Sequence, residues 1–440
     1  MTDKTPRFDL NTYVQGDENW DHTDTVEAVD KLAIDRGPIS GRPASGDYDD
    51  QMYFATDQRI MWRWDTDATD WKAAGGLGSS SQAIPGTTHV EALEAGSINT
   101  EQGFISSFNA DAVVHRVSNG NIVATGNEGE IARTSSNAED VINSAISHVS
   151  DNGGGTVRLK DIFEVSQSVI GAKSVTVDGG HPQKGGFRLA DSSDTSVVDI
   201  PAGANHFGLK NCYISGNRLN NTAGNGVLVN GYLYKPRLEN VIIRDCTNAG
   251  IKTQANSNRI FEPYWNSVDV GNCGTGIIVE GCVDIVGVEI YSHDNGYRGV
   301  DIYTPGHMWY HVHAFNNVDN GIVVNKNAPE NWFWGPYLDT NHKNGMLLDG
   351  VERVFVMGCH GFNNSQETAG TYDAIRATDA TQCFVAFSVL QDYQSAHTQN
   401  IGFNETGSSN ENVVFATPGR NNLTGTVSLA GGDSKQEYIF

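Results

Sequence analysis

The sequence predicts an all-β fold: a right-handed, single-stranded parallel β-helix behind a small N-terminal module. The main observation is a repeat. A glycine followed by alternating apolar positions recurs at Gly226-Val227-Leu228-Val229, Gly250-Ile251-Lys252-Thr253, Gly276-Ile277-Ile278-Val279, Gly299-Val300-Asp301-Ile302, Gly321-Ile322-Val323-Val324 and Gly345-Met346-Leu347-Leu348. A period of 22 to 26 residues enclosing a two-residue alternation suits one coil of a parallel solenoid, in which no coil buries its apolar face alone. Leucine-rich repeats share the period but need a Leu ladder, which is absent. Composition agrees, since 49 Gly against 12 Pro and 19% charged residues describe a chain that turns often.

Charge narrows the partners. The 53 Asp+Glu against 29 Lys+Arg give a net charge of −24, which opposes binding to nucleic acid or anionic membranes. Arg outnumbers Lys, and so acidic, Lys-poor a surface suits molar salt, where screening removes self-repulsion; a halophilic source is expected. The N-terminus lacks the apolar core of a signal peptide, and no stretch of about 18 apolar residues occurs, so neither export by a leader nor membrane insertion is expected. Cys212, Cys246, Cys273, Cys282, Cys359 and Cys383 show no CxxC spacing and read as buried thiols stacked in the coils, not as a zinc or redox motif.

Four segments follow in order: a module at 1–74, a linker and neck at 75–134, the β-helix at 135–404, and closing strands at 405–440. The module carries a helix pattern at about Thr25 to Arg36 and a strand-turn-strand pattern over Met52–Ala55 and Arg59–Trp64. Gly75 to Gly86 is a Gly/Ser linker, and the neck after it has no clear pattern. Ser136-Asn137-Ala138-Glu139 reads as a capping box ahead of Ile142, Ala145, Ile146 and Val149 at helical spacing, which predicts a helix over about 138–150. Asn152-Gly153-Gly154-Gly155-Thr156-Val157-Arg158-Leu159 ends that helix and opens the first strand. The closing strands fall at Val413-Val414-Phe415, Gly425-Thr426-Val427 and Tyr438-Ile439-Phe440.

Two resemblances add to this. A helix running into GG-x-V-x-L resembles the opening of pectate-lyase-like β-helices, where the helix caps the exposed end. Gly16-Asp17-Glu18-Asn19-Trp20, Val29-Asp30-Lys31-Leu32, Tyr53-Phe54-Ala55-Thr56-Asp57 and Trp62-Arg63-Trp64-Asp65 resemble the N-terminal region of tail-fibre and tailspike proteins of tailed viruses. That resemblance implies attachment to other virion proteins through residues 1–74, a homotrimer, and location in the virion. An apolar C-terminus also suits burial against copies of the same chain.

A second strand in each coil is readable at Val241–Cys246, Val268–Cys273, Val288–His293, Tyr310–Phe315 and Pro336–Asn341. Aligning these at their first residues puts Asp269, Glu289, His311 and Tyr337 in one solvent-facing row, and Tyr291, His313 and Asp339 in the next. The sixth positions then form a column of Cys246, Cys273, His293, Phe315 and Asn341. Trp265, Trp309, Trp332 and Trp334 precede the strands, where flat rings stack on sugar faces.

The expected partner of this strip is a host-surface glycan or surface-layer glycoprotein, bound without turnover through Tyr291, His311, His313, Tyr337, Trp309, Trp332 and Trp334. The alternative is a polysaccharide depolymerase. Hydrolysis needs two carboxyls, about 5–5.5 Å apart for retention, which suits Asp269 with Glu289, or about 6.5–9.5 Å for inversion, which suits Glu289 with Asp339. A lyase would take His311 or His313 as base and Arg298 to neutralise the substrate carboxylate. The calcium-binding acid cluster of pectate lyases and the acidic motifs of polygalacturonases are not apparent. No cofactor is required. Asp and Asn at turns, as in Asp294-Asn295-Gly296 and Asn316-Asn317, suit either structural Ca²⁺ or Mg²⁺ or ordinary turn chemistry.

Overall fold

A computed structural model describes residues 110–437 apart from 127–128, 135 and 256–258, together with the backbone of short strands before them. Two compact units emerge, one comprising Met1–Asn99 with Ile105–Ser107, the other the rest. In the first unit the described backbone is a four-stranded sheet of Asp35–Gly37, Met52–Ala55, Ile60–Asp65 and Asp70–Gly76. The strand-turn-strand pattern is present, with Met52 opposite Arg63 and Ala55 opposite Ile60 in antiparallel register. The helix expected at 25–36 lies outside the described residues except at its end, where Asp35 and Arg36 are in a strand instead.

The second unit is a parallel β-solenoid of about 12 turns. Its repeat is the one visible in the sequence: Val227, Ile251, Ile277, Val300, Ile322 and Met346 are successive partners across an 11-stranded parallel sheet. The glycine before each strand is there for space. A Cβ on Gly250 would sit 2.1 Å from Val270 Cγ1, and one on Gly299 would sit 2.4 Å from the Gly321 carbonyl oxygen of the next coil.

The other wall of each coil belongs to a 21-stranded sheet. Its strands Arg237–Arg244, Tyr264–Gly271, Val286–His293 and Met308–Phe315 are each bent once, at Asn240, Ser267, Glu289 and His311, all left-handed at φ 52°, 53°, 52° and 56°. The bend turns the outer surface of this wall into two facets. Inside, Leu238, Trp265, Gly287, Trp309, Phe333 and Val356 are stacked partners. A Cβ on Gly287 would lie 2.5 Å from the Trp309 ring, so this glycine is what admits two indoles, 6.1 Å apart, into one core column.

The helix Ala138–Asp151 caps the first coil with Val141, Ile142, Ala145, Ile146 and Val149 buried. Asn137 is its N-cap, and the capping box does not form, because Glu139 turns inward and accepts the Ser166 hydroxyl at 2.6 Å. That bond ties the cap to the solenoid in place of closing the helix end. The neck contributes three antiparallel strands, Ala112–Arg116, Ile122–Gly126 and Gly129–Thr134, the first pairing with Val157–Leu159 of the first coil. The strands Val413–Phe415, Gly425–Ser428 and Lys435–Glu437 do not fold over the last coil. They extend both long sheets in parallel register; Phe440 lies outside the described residues.

Candidate glycan-binding facet

The register departs by two residues from that expected at two steps, from Tyr264–Gly271 to Val286–His293 and from Met308–Phe315 to Tyr337–Asp339. Ser267, Glu289 and His311 occupy the bend, so Val268 pairs with Ile290 and Val312, and Asp269 with Tyr291, His313 and then Tyr337. The sequence-based rows are therefore rearranged. Asp269 belongs with Tyr291 and His313, whereas Glu289 and His311 are exposed at the corner between facets; Asp339 falls one row further, beside Phe315 and Phe362. The expected sixth column also separates. His293 and Phe315 lie on the outer surface, while Cys273, Asn295, Asn317, Asn341 and Asn364 form the buried column.

Beyond the bend, the polar facet carries Asp269, Tyr291, His313, Tyr337 and His360, one per coil. Ring centroids are 6.0 Å apart for Tyr291–His313, 4.5 Å for His313–Tyr337 and 5.0 Å for Tyr337–His360. The exposed Tyr393 extends the row, its hydroxyl 3.2 Å from His360 Nε2. Burial raises the Tyr337 phenol and lowers the His360 imidazole, so both stay neutral near pH 7.

At the other end is a charged cluster. Arg244 Nη2 donates to Asp269 Oδ2 at 2.5 Å, and His293 bridges Asp269 at 2.9 Å and Asp294 at 2.6 Å. Gly271 makes this possible, since a Cβ there would lie 2.7 Å from the His293 ring. Burial disfavours the Asp269 carboxylate, yet the hydrogen bonds from His293 and Arg244 outweigh it and hold the pKa below its ordinary value. The bond to Asp269 holds the His293 pKa above its ordinary value.

Each carboxyl expected to act in hydrolysis has a partner of another kind. Asp269 is engaged by Arg244 and His293, and Glu289 accepts a hydrogen bond from Ser267 at 2.9 Å. Asp339 faces His313 at 3.4 Å and accepts from Thr340. Arg298 is held by Asp301 and Asp319, so it does not reach this facet as a neutralising group. Trp309, expected on the surface, is fully buried in the core column: it shares the inward parity of Phe333, while Met308 and Tyr310 on either side point out. Trp332 and Trp334 face outward on the other facet.

Arg244, His293, His360 and Tyr393 were missed. His293 would have emerged had the register been shifted by two at the bend, whereas Arg244 already lay at an outward position of Val241–Cys246. The last two lie beyond Gly345, where coils lengthen and Ala374 replaces the marker glycine. The six cysteines are buried and free; burial pushes the Cys212 thiol up to about 12 and that of Cys383 to about 11. Among the described residues no group of three or more His, Cys, Asp or Glu is placed to hold a metal ion, and no helix is long and apolar enough to cross a membrane.

No protein-family model matches this sequence, and neither does any curated protein. Solved structures do match its fold. The A-module of Azotobacter vinelandii mannuronan C-5 epimerase AlgE4 is similar with a TM-score of 0.59 and 17% identity, over 68% of this chain and 96% of that one. The AlgE6 A-module gives 0.54 and 18%, over 69% and 94%. The enzymatically active domain of bacteriophage CBA120 tailspike protein 2 gives 0.53 and 11%, over 90% of this chain and 60% of that one. The chain thus shares its β-helix with phage tailspikes and with polysaccharide epimerases.

Proposed function

We propose that this chain is a virion appendage whose solenoid binds a host-surface glycan along the polar facet. The carrying observation is the row Tyr291, His313, Tyr337 and His360, half-buried rings that recur once per coil, with the exposed Tyr393 beside His360. Such a row offers stacking and hydrogen bonds to an extended sugar chain without requiring turnover. The tailspike-like N-terminal sequence, through which other virion proteins would be engaged, and the tailspike among the similar folds support location in the virion. The acidic, Lys-poor surface supports a host living at high salt.

Trp332 and Trp334 are reassigned from glycan to contacts between copies. They belong to a patch with Phe355, Met357, Phe384 and Phe387, whose paired rows carry no charged residue from Trp332 to Phe384 and from Trp334 to Ala386, in a chain of −24. Trp332 stacks on Phe355 at 4.0 Å, and Phe387 is 59% exposed. A homotrimer would cover this patch.

The second reading is a polysaccharide-modifying enzyme, favoured by the Arg244–Asp269–His293 cluster beside Tyr291 and by the epimerases among the similar folds. Retention of the purified chain on polysaccharide from candidate host envelopes, at high salt, separates the readings. Saturable retention that falls about tenfold in Tyr337→Ala, with no new reducing or unsaturated ends, is expected. Absence of retention overturns the proposal; release of fragments that stops in Asp269→Asn establishes the enzyme.

A further inference from the structure

Away from the polar facet, a cleft of about 520 Å³ opens where the chain enters the bent strands of successive coils. Its two walls follow from the coil geometry. Lys235, Glu262, Asp284 and Gly306 occupy a corner that is left-handed in every coil, at φ 54°, 50°, 58° and 80°. Two residues on, Arg237, Tyr264, Val286 and Met308 are successive strand partners and form the second wall. Gly306 leaves one end of the first wall without a side chain, so the cleft stays open there.

The charges in the cleft are unequally satisfied. Lys235 pairs with Glu262 at 3.1 Å, and Glu239 with Lys210 at 3.8 Å. The guanidinium of Arg237, an exposed residue, has no hydrogen-bond or ion-pair partner among the described residues. In a chain of −24 an idle guanidinium in a concave site is a fork for one carboxylate. The neighbouring Tyr264, 36% exposed, supplies a flat apolar face, and Met308 an adaptable one. Asp284, two coils along and about 10 Å from Arg237 on coil spacing alone, accepts hydroxyls from the sugar that follows.

We infer that this cleft is a saccharide site for a uronic acid residue, with the carboxylate on Arg237 and the ring face on Tyr264. This goes beyond the receptor reading and stands independently of it, because no residue of the cleft belongs to the polar facet. The probes are methyl β-glucuronide and methyl β-glucoside, titrated against the full chain by ligand-observed NMR. Wild type binds the glucuronide more tightly. Arg237→Gln weakens the glucuronide roughly tenfold and leaves the glucoside unchanged, since only the charge-assisted bond is lost, and Tyr264→Ala weakens both. Unchanged glucuronide binding in Arg237→Gln, or no binding of either probe to wild type, overturns the assignment. Glucuronide binding that survives Arg237→Gln but disappears in Tyr337→Ala would move the uronate to the polar facet, ending this inference and leaving the receptor reading intact.

Discussion

His293 shows how much of the facet rests on one side chain. Its ring lies over Gly271, stacks on Phe315 at 4.7 Å and reaches Asp269 and Asp294 with its two nitrogens. Because its pKa is raised on folding, its stabilising contribution is full below the unfolded value of about 6.5 and is lost as pH rises through the folded value. Asp269 has the opposite sign: its depressed pKa gives stability present above the unfolded value of about 4 and lost as pH falls through the folded value. His293→Gln should therefore lower the melting temperature most at about pH 6, with the gap from wild type closing at about pH 9. A gap that stays constant with pH would mean that the ring acts by packing alone.

Among the elements, the corner after each bent strand decides how the coils stay in step. Asn295, Asn317, Asn341 and Asn364 are fully buried, and each donates its amide to the next at 2.9, 3.0 and 3.0 Å; Gln399 continues the ladder at 3.1 Å. The amide oxygen also takes the backbone N–H of the preceding coil, as Asn341 does from Asn317 at 3.2 Å. Asn341→Leu fits by size but orphans the Asn317 backbone and side-chain donors, a loss of roughly 2–4 kcal/mol in denaturant unfolding. Asn363→Ala, one residue before the next rung of the ladder and outside it, serves as the control and should cost less. A smaller loss for Asn341→Leu than for the control would remove the ladder from the account of stability. Below Asn295 the column continues as Cys273, whose N–H Asn295 accepts at 3.0 Å, so thiols and amides share one column.

On the scale of the whole molecule, the two facets divide the work. One keeps its aromatic and imidazole groups beside acids and an arginine. The other is apolar from Trp332 to Phe387, and burial against copies is the physical answer to an exposed patch on a highly charged chain. Light scattering of the purified chain should give the mass of a trimer, and Trp334→Glu with Phe387→Glu should reduce it to that of a monomer by placing charge in the contact. A monomeric wild type, or a trimer untouched by the double variant, would free this patch for another partner.

The solenoid itself was legible because its signal is repeated. The glycine column needs open space at the same point in each coil, and the alternation after it needs one buried face, so both recur in the sequence at Gly226 through Gly345. The helix Ala138–Asp151 was legible for the same kind of reason, a periodic apolar face. What only the tertiary structure decided is the lateral register of the bent strands. Left-handed Ser267, Glu289 and His311 are not residue types that announce a bend, and an alignment that ignores it misplaces side chains by two residues, into another row. For that reason Asp269 joined the row of Tyr291 and His313, within reach of His293, whereas Trp309, which precedes its bend, is core by its inward parity with Phe333. Period and parity are local properties that sequence carries; which side chains meet across coils depends on backbone angles set by packing.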